Sequence, residues 1–308
     1  MPRTLLVLTA AACVAQTGAP MVVLLAGIVG AEIAPTSDLA TLPVALMILG
    51  TAATTIPASF TMRRFGRKVG FMLAAGYAAG AGLLAAYAII NLHFWLLCAA
   101  TFLIGSHNAF VQQYRFAVAE SVPGHQMGRS LSVLMLAGVV AAYLGPRVAM
   151  EMQELIPGAL YAGSFLGLSV LMGAALLVLS AYQDDSGAHR VESTQGRPLT
   201  EIAQQLDFKL AIAASVGAWS VMSLLMTATP VSMHTLDGFD MADTAWVIQS
   251  HIMAMFLPSL FSGILNDRFG PLRMIQLGAG ILCLCLIVAL SDQQLMHYWW
   301  SLVLLGVG

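Results

Sequence analysis

The sequence predicts an all-α polytopic membrane protein, and three observations carry that prediction. Only 9% of its 308 residues are charged while 59% are hydrophobic, against roughly 25% charged residues in an ordinary soluble domain. The apolar residues fall in runs of helical length, which excludes a transmembrane barrel. A hydrocarbon core of roughly 30 Å takes about 20 residues per helix, because every backbone polar group in lipid has to be satisfied within the segment. The Lys and Arg residues gather in alternate loops.

The runs between polar breaks place spans near 4–30, 38–61, 70–90, 94–118, 129–150, 157–182, 208–232, 242–265, 272–291 and 297–308. Nine are complete. The last, HYWWSLVLLGVG, has about 12 residues, short of a crossing, and predicts a tenth helix that is cut off. The first follows a lone cation, Arg3, and has no small-x-small cleavage site with a polar start behind it, so it reads as a retained helix rather than a signal peptide. The second and third spans meet in FTMRRFGRKVG, where Arg63, Arg64, Arg67 and Lys68 crowd together. Gly76 with Gly80 in the third span, and Gly278 with Gly280 in the ninth, predict close helix contacts. Pro20, Pro43, Pro57, Pro146, Pro230 and Pro258 interrupt spans and predict bends. Cys13, Cys98, Cys283 and Cys285 all lie in apolar runs and read as small buried hydrophobes, not as a metal clip or disulfide framework. The long polar segment Ala181 to Asp207 predicts a solvated linker with a short helix over Leu199 to Leu206. The chain thus divides into an N-terminal six-helix bundle over 1–182, a cytoplasmic linker over 183–207, and a partial C-terminal bundle over 208–308 that holds helices seven to ten.

With the N-terminus in the cytoplasm, Arg3, the Arg63 to Lys68 cluster, Arg115, Arg129, Arg190, Arg197, Lys209, Arg268 and Arg273 all fall at inner loops or inner helix ends, and only Arg147 falls toward the other side. The outer loops hold Glu32, Asp38, Glu151, Glu154, Asp237, Asp240, Asp243 and Asp292. This asymmetry predicts a multi-pass protein of the cell membrane with its N-terminus inside. Anionic headgroups favour the cation cluster on that side. The net charge of −2 points to no nucleic-acid partner.

One offset, 204 residues, recurs within the chain. LHFWLL at Leu92 to Leu97 matches MHYWWS at Met296 to Ser301, pairing His93 with His297 and Trp95 with Trp299. SFTMRRFGRKV matches GILNDRFGPLR, pairing Arg64, Phe65 and Gly66 with Arg268, Phe269 and Gly270. Two windows at one offset, each on the same side of the membrane as its own counterpart, indicate two homologous halves.

On these residues the chain resembles the major facilitator superfamily, whose members have two six-helix halves. Its motif G-x-x-x-D-[RK]-x-G-[RK]-[RK] after the second helix has a near-complete copy after the eighth: Gly263, Asp267, Arg268 and Gly270. In the first copy Ser59 and Arg63 replace the glycine and the aspartate, followed by Arg64, Gly66, Arg67 and Lys68. Glu120, Pro123 and Arg129 resemble the family pattern at the inner end of helix four. Gly145 and Pro146 in AAYLGPR resemble the helix-five motif of antiporters, with Ala141, Ala149 and Met150 in place of its other glycines. The resemblance implies helices eleven and twelve beyond Gly308. It also implies an inner gate that, given Arg63, depends mainly on Asp267 with Arg268, since an aspartate suits a helix N-terminus and an arginine does not.

The resemblance further implies a central cavity lined by helices one, four, seven and ten. Helix one offers Thr9, Cys13 and Gln16 on one stripe, with Thr17 beside it; helix seven offers Ser220, Ser223 and Thr227, with Ser220 equivalent to Gln16 under the offset. The hydroxyls read equally as bonded back to their own helices. In helix four, GSHNAFVQQYRFAVAE, the residues Asn108, Gln112 and Arg115 share a face, with His107 and Gln113 beside it. Arg115 reads as a solute ligand or as a snorkelling cation. His107 reads as a proton carrier or as a packed histidine, and His251 in helix eight, near Gln249, is a second histidine of the same kind.

The expected function is secondary active transport of a small organic solute by alternating access, coupled to protons, by a monomer without a cofactor. The partial helix-five motif leans to export. The alternative is a non-transporting membrane receptor or assembly protein of the same fold. An intramembrane enzyme is disfavoured by the lack of HExxH, GxSxG or paired intramembrane carboxylates.

Overall fold

A computed structural model describes residues 3–183, 199–258, 261, 265 and 268–308. The chain builds α1 (Arg3–Ala15), α2 (Gly18–Ile33), α3 (Leu42–Phe65), α4 (Arg67–Ile90), α5 (Phe94–Val111), α6 (Tyr114–Ser121), α7 (Gly124–Glu151), α8 (Ala162–Ser180), α9 (Leu199–Gln204), α10 (Leu206–Val231), α11 (Met241–Phe256), α12 (Pro271–Ala289) and α13 (Leu295–Val307). Among the described residues eight helical stretches are long and apolar enough to cross a membrane, with α1–α2 and α5–α6 each counting as one. The expected linker helix is α9; the rest of that linker, 184–198, lies outside the described residues, as do Gly263 and Asp267.

Local chemistry sets the helix ends. The cation cluster is not a loop: Arg63 and Arg64 occupy the last turn of α3, Arg67 follows immediately in α4, and a single residue, Gly66, separates the two helices. Gly66 has φ 86 and ψ 155, a backbone region open almost only to glycine. Its counterpart at the 204 offset, Gly270, has φ 82 and ψ 154 and likewise stands directly before a helix. The two glycines that the 204 offset pairs thus share one backbone conformation. At the start of α11, Asp240 caps the helix, its carboxylate accepting from the Asp243 amide at 2.7 Å.

The faces of the bundle follow from helix alternation. Arg3 reaches Gln183, and Arg67 reaches Glu120, so these ends share one side, the cationic face. Glu32 acts electrostatically on Tyr161 at the opposite, acidic face.

Of the glycines in the pairs the sequence singled out, Gly278 makes a close helix contact, its added Cβ standing 2.6 Å from the Gly308 carbonyl oxygen, and the others do not. Among the described residues, no atom beyond the helix's own backbone and the adjacent residues lies within 4 Å of a Cβ built on Gly76, Gly80 or Gly280. The packed face of α4 is instead the stripe Ala74, Ala78, Ala81 and Ala85 at helical spacing, which leaves Gly76 and Gly80 off the interface. Close approach occurs between α3 and α5, where a Cβ on Gly105 would collide with the Met47 carbonyl oxygen and one on Gly50 with that of Phe102. Thr51 Oγ1 donates to the Gly105 carbonyl at 2.9 Å across the same contact. The α4–α8 contact is tied by Ser169 Oγ donating to the Ala79 carbonyl at 2.9 Å. Of the cysteines, Cys98 and Cys285 are buried as expected, Cys13 is half-buried, and Cys283 is exposed on α12.

Two cores result. The one toward the cationic face contains Leu5, Leu8, Phe71, Phe110, Tyr114 and Leu179, all N-terminal. The other joins N-terminal residues such as Val29 and Leu25 to C-terminal ones such as Met226, Met233 and Ile248. Correspondingly, α1 packs on α5, α6, α7 and α8, while α2 packs on α10 and α11, and α7 on α11. The N- and C-terminal helices thus meet from the acidic face to mid-depth, at Gly27 with Val231 and at Gly138 with Phe256. Toward the cationic face Leu206 to Ser220 of α10 are exposed.

Candidate functional site

The first spanning helix is broken at Gln16 and Thr17, and Pro20 is the cause. Proline has no N–H to offer the carbonyl four residues back, that of Gln16, and its ring crowds that carbonyl. The chain responds by tightening: the Thr17 amide bonds to the Val14 carbonyl at 3.2 Å and the Thr17 hydroxyl donates to the same oxygen at 2.6 Å. Thr17 is fully buried and its hydroxyl is engaged by its own helix. Gln16 is half-buried; its backbone amide bonds to the Ala12 carbonyl at 3.1 Å, while among the described residues its side-chain amide makes no hydrogen bond. Gly145 packs on this break, where a Cβ would stand 3.1 Å from the Thr17 oxygen and 3.3 Å from Pro20 Cβ. The helix-five residues Gly145 and Pro146 are buried, and Gly145 thereby seats the bend of helix one.

The fourth spanning helix is likewise in two pieces, with Gln112 and Gln113 between α5 and α6 and the Gln113 amide bonded to the Phe110 carbonyl at 3.0 Å. Ile104 packs against Gly18 of α2, and Gly105 against Met47 of α3. At 3.6 residues per turn, Asn108 projects between those two directions, with Gln112 and Arg115 continuing the stripe. Asn108 and Gln112 are half-buried; Arg115 is exposed with its guanidinium 5.3 Å from the Phe116 ring centre, the posture of a snorkelling cation. His107 lies off this stripe. It is 2% exposed, and its Nε2 has no hydrogen-bond partner among the described residues.

On α10, Ser220 is exposed and Ser223 and Thr227 are half-buried. On α11, His251 turns out to be a packing histidine: it is 1% exposed, its Nδ1 lies 2.8 Å from the Leu302 carbonyl, and Gly306 of α13 sits against its backbone oxygen. Its neighbour Ser250 accepts from Trp299 Nε1 at 2.9 Å, and Trp299 stacks on Trp246. His251 binds α11 to α13.

At the cationic face, Arg63, Arg64 and Arg268 are exposed, and Arg64 and Arg268 each sit over the ring of the following phenylalanine. Arg67 pairs with Glu120 at 2.6 Å, clamping the α3–α4 turn to the end of α6. Both residues were conspicuous in the sequence, but their pairing spans 53 positions and no local signal announces it. Gly263 and Asp267, expected to carry the gate, lie outside the described residues.

The family model of the Major Facilitator Superfamily matches residues 6–308. The chain belongs to the major facilitator superfamily. Within it, the chain is 38% identical to the riboflavin transporter RfnT of Brucella anthropi over 312 residues, 99% of this chain and 77% of that protein. It is 29% identical to the uncharacterized MFS-type transporter YdeG of Bacillus subtilis over 99% of this chain and 75% of that one. Among solved superfamily structures, the xylose transporter XylE from E. coli in a partially occluded inward open conformation superposes with a TM-score of 0.69 at 12% identity, covering 98% of this chain and 84% of that one. The E. coli fucose:proton symporter FucP gives 0.61 at 15% identity, covering 99% and 81%. These likenesses agree with the all-helical fold.

Proposed function

We propose that the chain is a secondary active transporter of a small, uncharged, hydrogen-bonding solute of the riboflavin kind, with its cationic face in the cytoplasm of a cell-membrane protein. Residues 1–182 and 208–308 are the two bodies that rock about the site, joined by 183–207, and one copy suffices because the path lies within the chain. The observation that carries the reading is the stripe of Asn108 and Gln112 on the half-buried face of helix four, with half-buried Gln16 at the break of helix one. Each side-chain amide offers donors and an acceptor at once, which suits the imide edge and the polyol tail of a flavin. Among the described residues every Asp and Glu lies in a loop or at a helix end, so nothing on the stripe selects a cation. The identity with a riboflavin transporter points to the same solute class.

Riboflavin counterflow with the full-length protein in liposomes tests the reading. Asn108→Ala and Gln112→Ala are each expected to raise the KM for riboflavin about tenfold, because an unmatched buried polar group costs about 1–3 kcal/mol. Exchange of other solutes without riboflavin exchange overturns the substrate, and an unchanged KM in both variants overturns the site.

A further inference from the structure

Among the described residues, His107 and His251 are buried histidines of the spanning helices, and the fold treats them very differently. His251 has its Nδ1 matched by the Leu302 carbonyl; His107 is as deeply buried, and among the described residues its Nε2 has no partner. A buried polar atom without a partner costs about 1–3 kcal/mol, and an apolar side chain of similar size would avoid that cost. An imidazole kept in this condition is a lone pair held ready for a proton.

The contact between Ile104 and Gly18 places His107, about one turn further along α5, level with the break of helix one. There the Gln16 carbonyl lacks its helical donor because of Pro20. The elements packed on α5 are α1, α2, α3 and α4. Their charged groups, Arg3, Glu32, Arg63, Arg64, Arg67 and Lys68, all lie at helix ends. Their remaining titratable groups are Cys13, Tyr87 near the end of α4, and Tyr77, whose hydroxyl is bonded to Ser106 Oγ at 2.9 Å. No carboxylate faces the imidazole from these helices, so the neutral ring is the one this conformation accommodates. A charged ring needs the freed Gln16 carbonyl, or water admitted at the break, as its acceptor.

We propose that His107 is the proton-binding site that couples solute movement to a proton gradient, with Nε2 bare when the cationic side is open and protonated when the acidic side is open. This rests on the reading of the chain as a secondary transporter of riboflavin-like solutes. The proton travels as a bound ion, taken up at Nε2 on one side and released from it on the other.

The test uses the full-length protein in liposomes containing a trapped pH-sensitive dye. Wild type is expected to move protons when a riboflavin gradient is imposed, and His107→Gln is expected to keep riboflavin exchange at the wild-type rate while riboflavin-driven proton movement falls to background. His107→Asn serves if the first variant does not fold. Three results overturn the proposal: proton movement undiminished in the variant, exchange and proton movement lost in equal proportion in a folded variant, or wild-type exchange without proton movement. The last leaves the transporter reading standing. If wild type exchanges no riboflavin, the substrate reading falls, and nitrogen NMR of histidine-labelled protein in lipid discs decides the proton site alone. There the resonance removed by the His107 variant is expected to pass from the neutral to the charged ring form as the pH is lowered, and a ring neutral throughout overturns the proposal.

Discussion

At the scale of single residues, the same residue type serves opposite ends according to what stands beside it. Thr17 and His251 have the polar chemistry of a transport path, yet a carbonyl from the same or a neighbouring helix occupies each. Asn108 and Gln112 escape this because they point between two helices rather than into one. The glycines divide in the same way. Gly105→Ala is expected to destabilise the protein by about 1–3 kcal/mol or more, since the added carbon meets a backbone oxygen that cannot move aside. Gly76→Ala, in open space, is expected to leave the thermal unfolding midpoint in detergent unchanged or slightly raised. A midpoint for Gly105→Ala equal to wild type would show that α3 and α5 do not cross this closely. At Gly270 the space is open but φ is 82, so Gly270→Ala is expected to cost about 1–3 kcal/mol through backbone strain alone, read in the same assay. These distinctions were invisible in sequence, where Gly76 and Gly80 formed the more conspicuous pair; an i, i+4 spacing names a face but not what that face meets.

At the scale of the element, the bend of helix one is the feature that sequence and structure describe in the same terms. Pro20 predicted an interruption, and the break falls at the carbonyl the proline deprives of its donor. Pro20→Ala restores that donor and is expected to straighten the helix, raising or preserving the thermal midpoint while slowing riboflavin exchange severalfold. Exchange at the wild-type rate would dissociate the bend from transport. The matching interruption of helix four at Gln112 and Gln113 has no proline or glycine behind it, and no sequence signal marked it. The clamp of Arg67 on Glu120 was equally silent. Each residue drew notice as a charge near a membrane boundary, but a salt bridge between different helices depends on how those helices cross. With Glu120 about half exposed, Glu120→Gln is expected to cost no more than about 1 kcal/mol in stability.

At the scale of the whole molecule, the asymmetry of contact between the N- and C-terminal helices defines the conformation: joined from the acidic face to mid-depth, with the N-terminal part of α10 exposed toward the cationic face. A Cβ on Gly27 would stand 3.0 Å from Val231 Cγ2, close enough for a disulfide. The double variant Gly27→Cys with Val231→Cys is therefore expected to cross-link on oxidation and to stop riboflavin exchange, with activity restored by reductant. Continued exchange in the cross-linked protein would mean that this contact need not open during transport. The sequence by itself determined that the chain is a membrane-embedded helical protein, where its helices lie, that it is built on a repeat, and to which superfamily it belongs. These follow from local quantities: run length against bilayer thickness, and residue identity at a constant offset. Only the tertiary structure decided which glycines lie at helix crossings, that Thr17 and His251 are satisfied while His107 is not, and which side of the bundle is closed. Each of these depends on the partner that another helix brings to the same point in space, and no spacing along one helix contains that information.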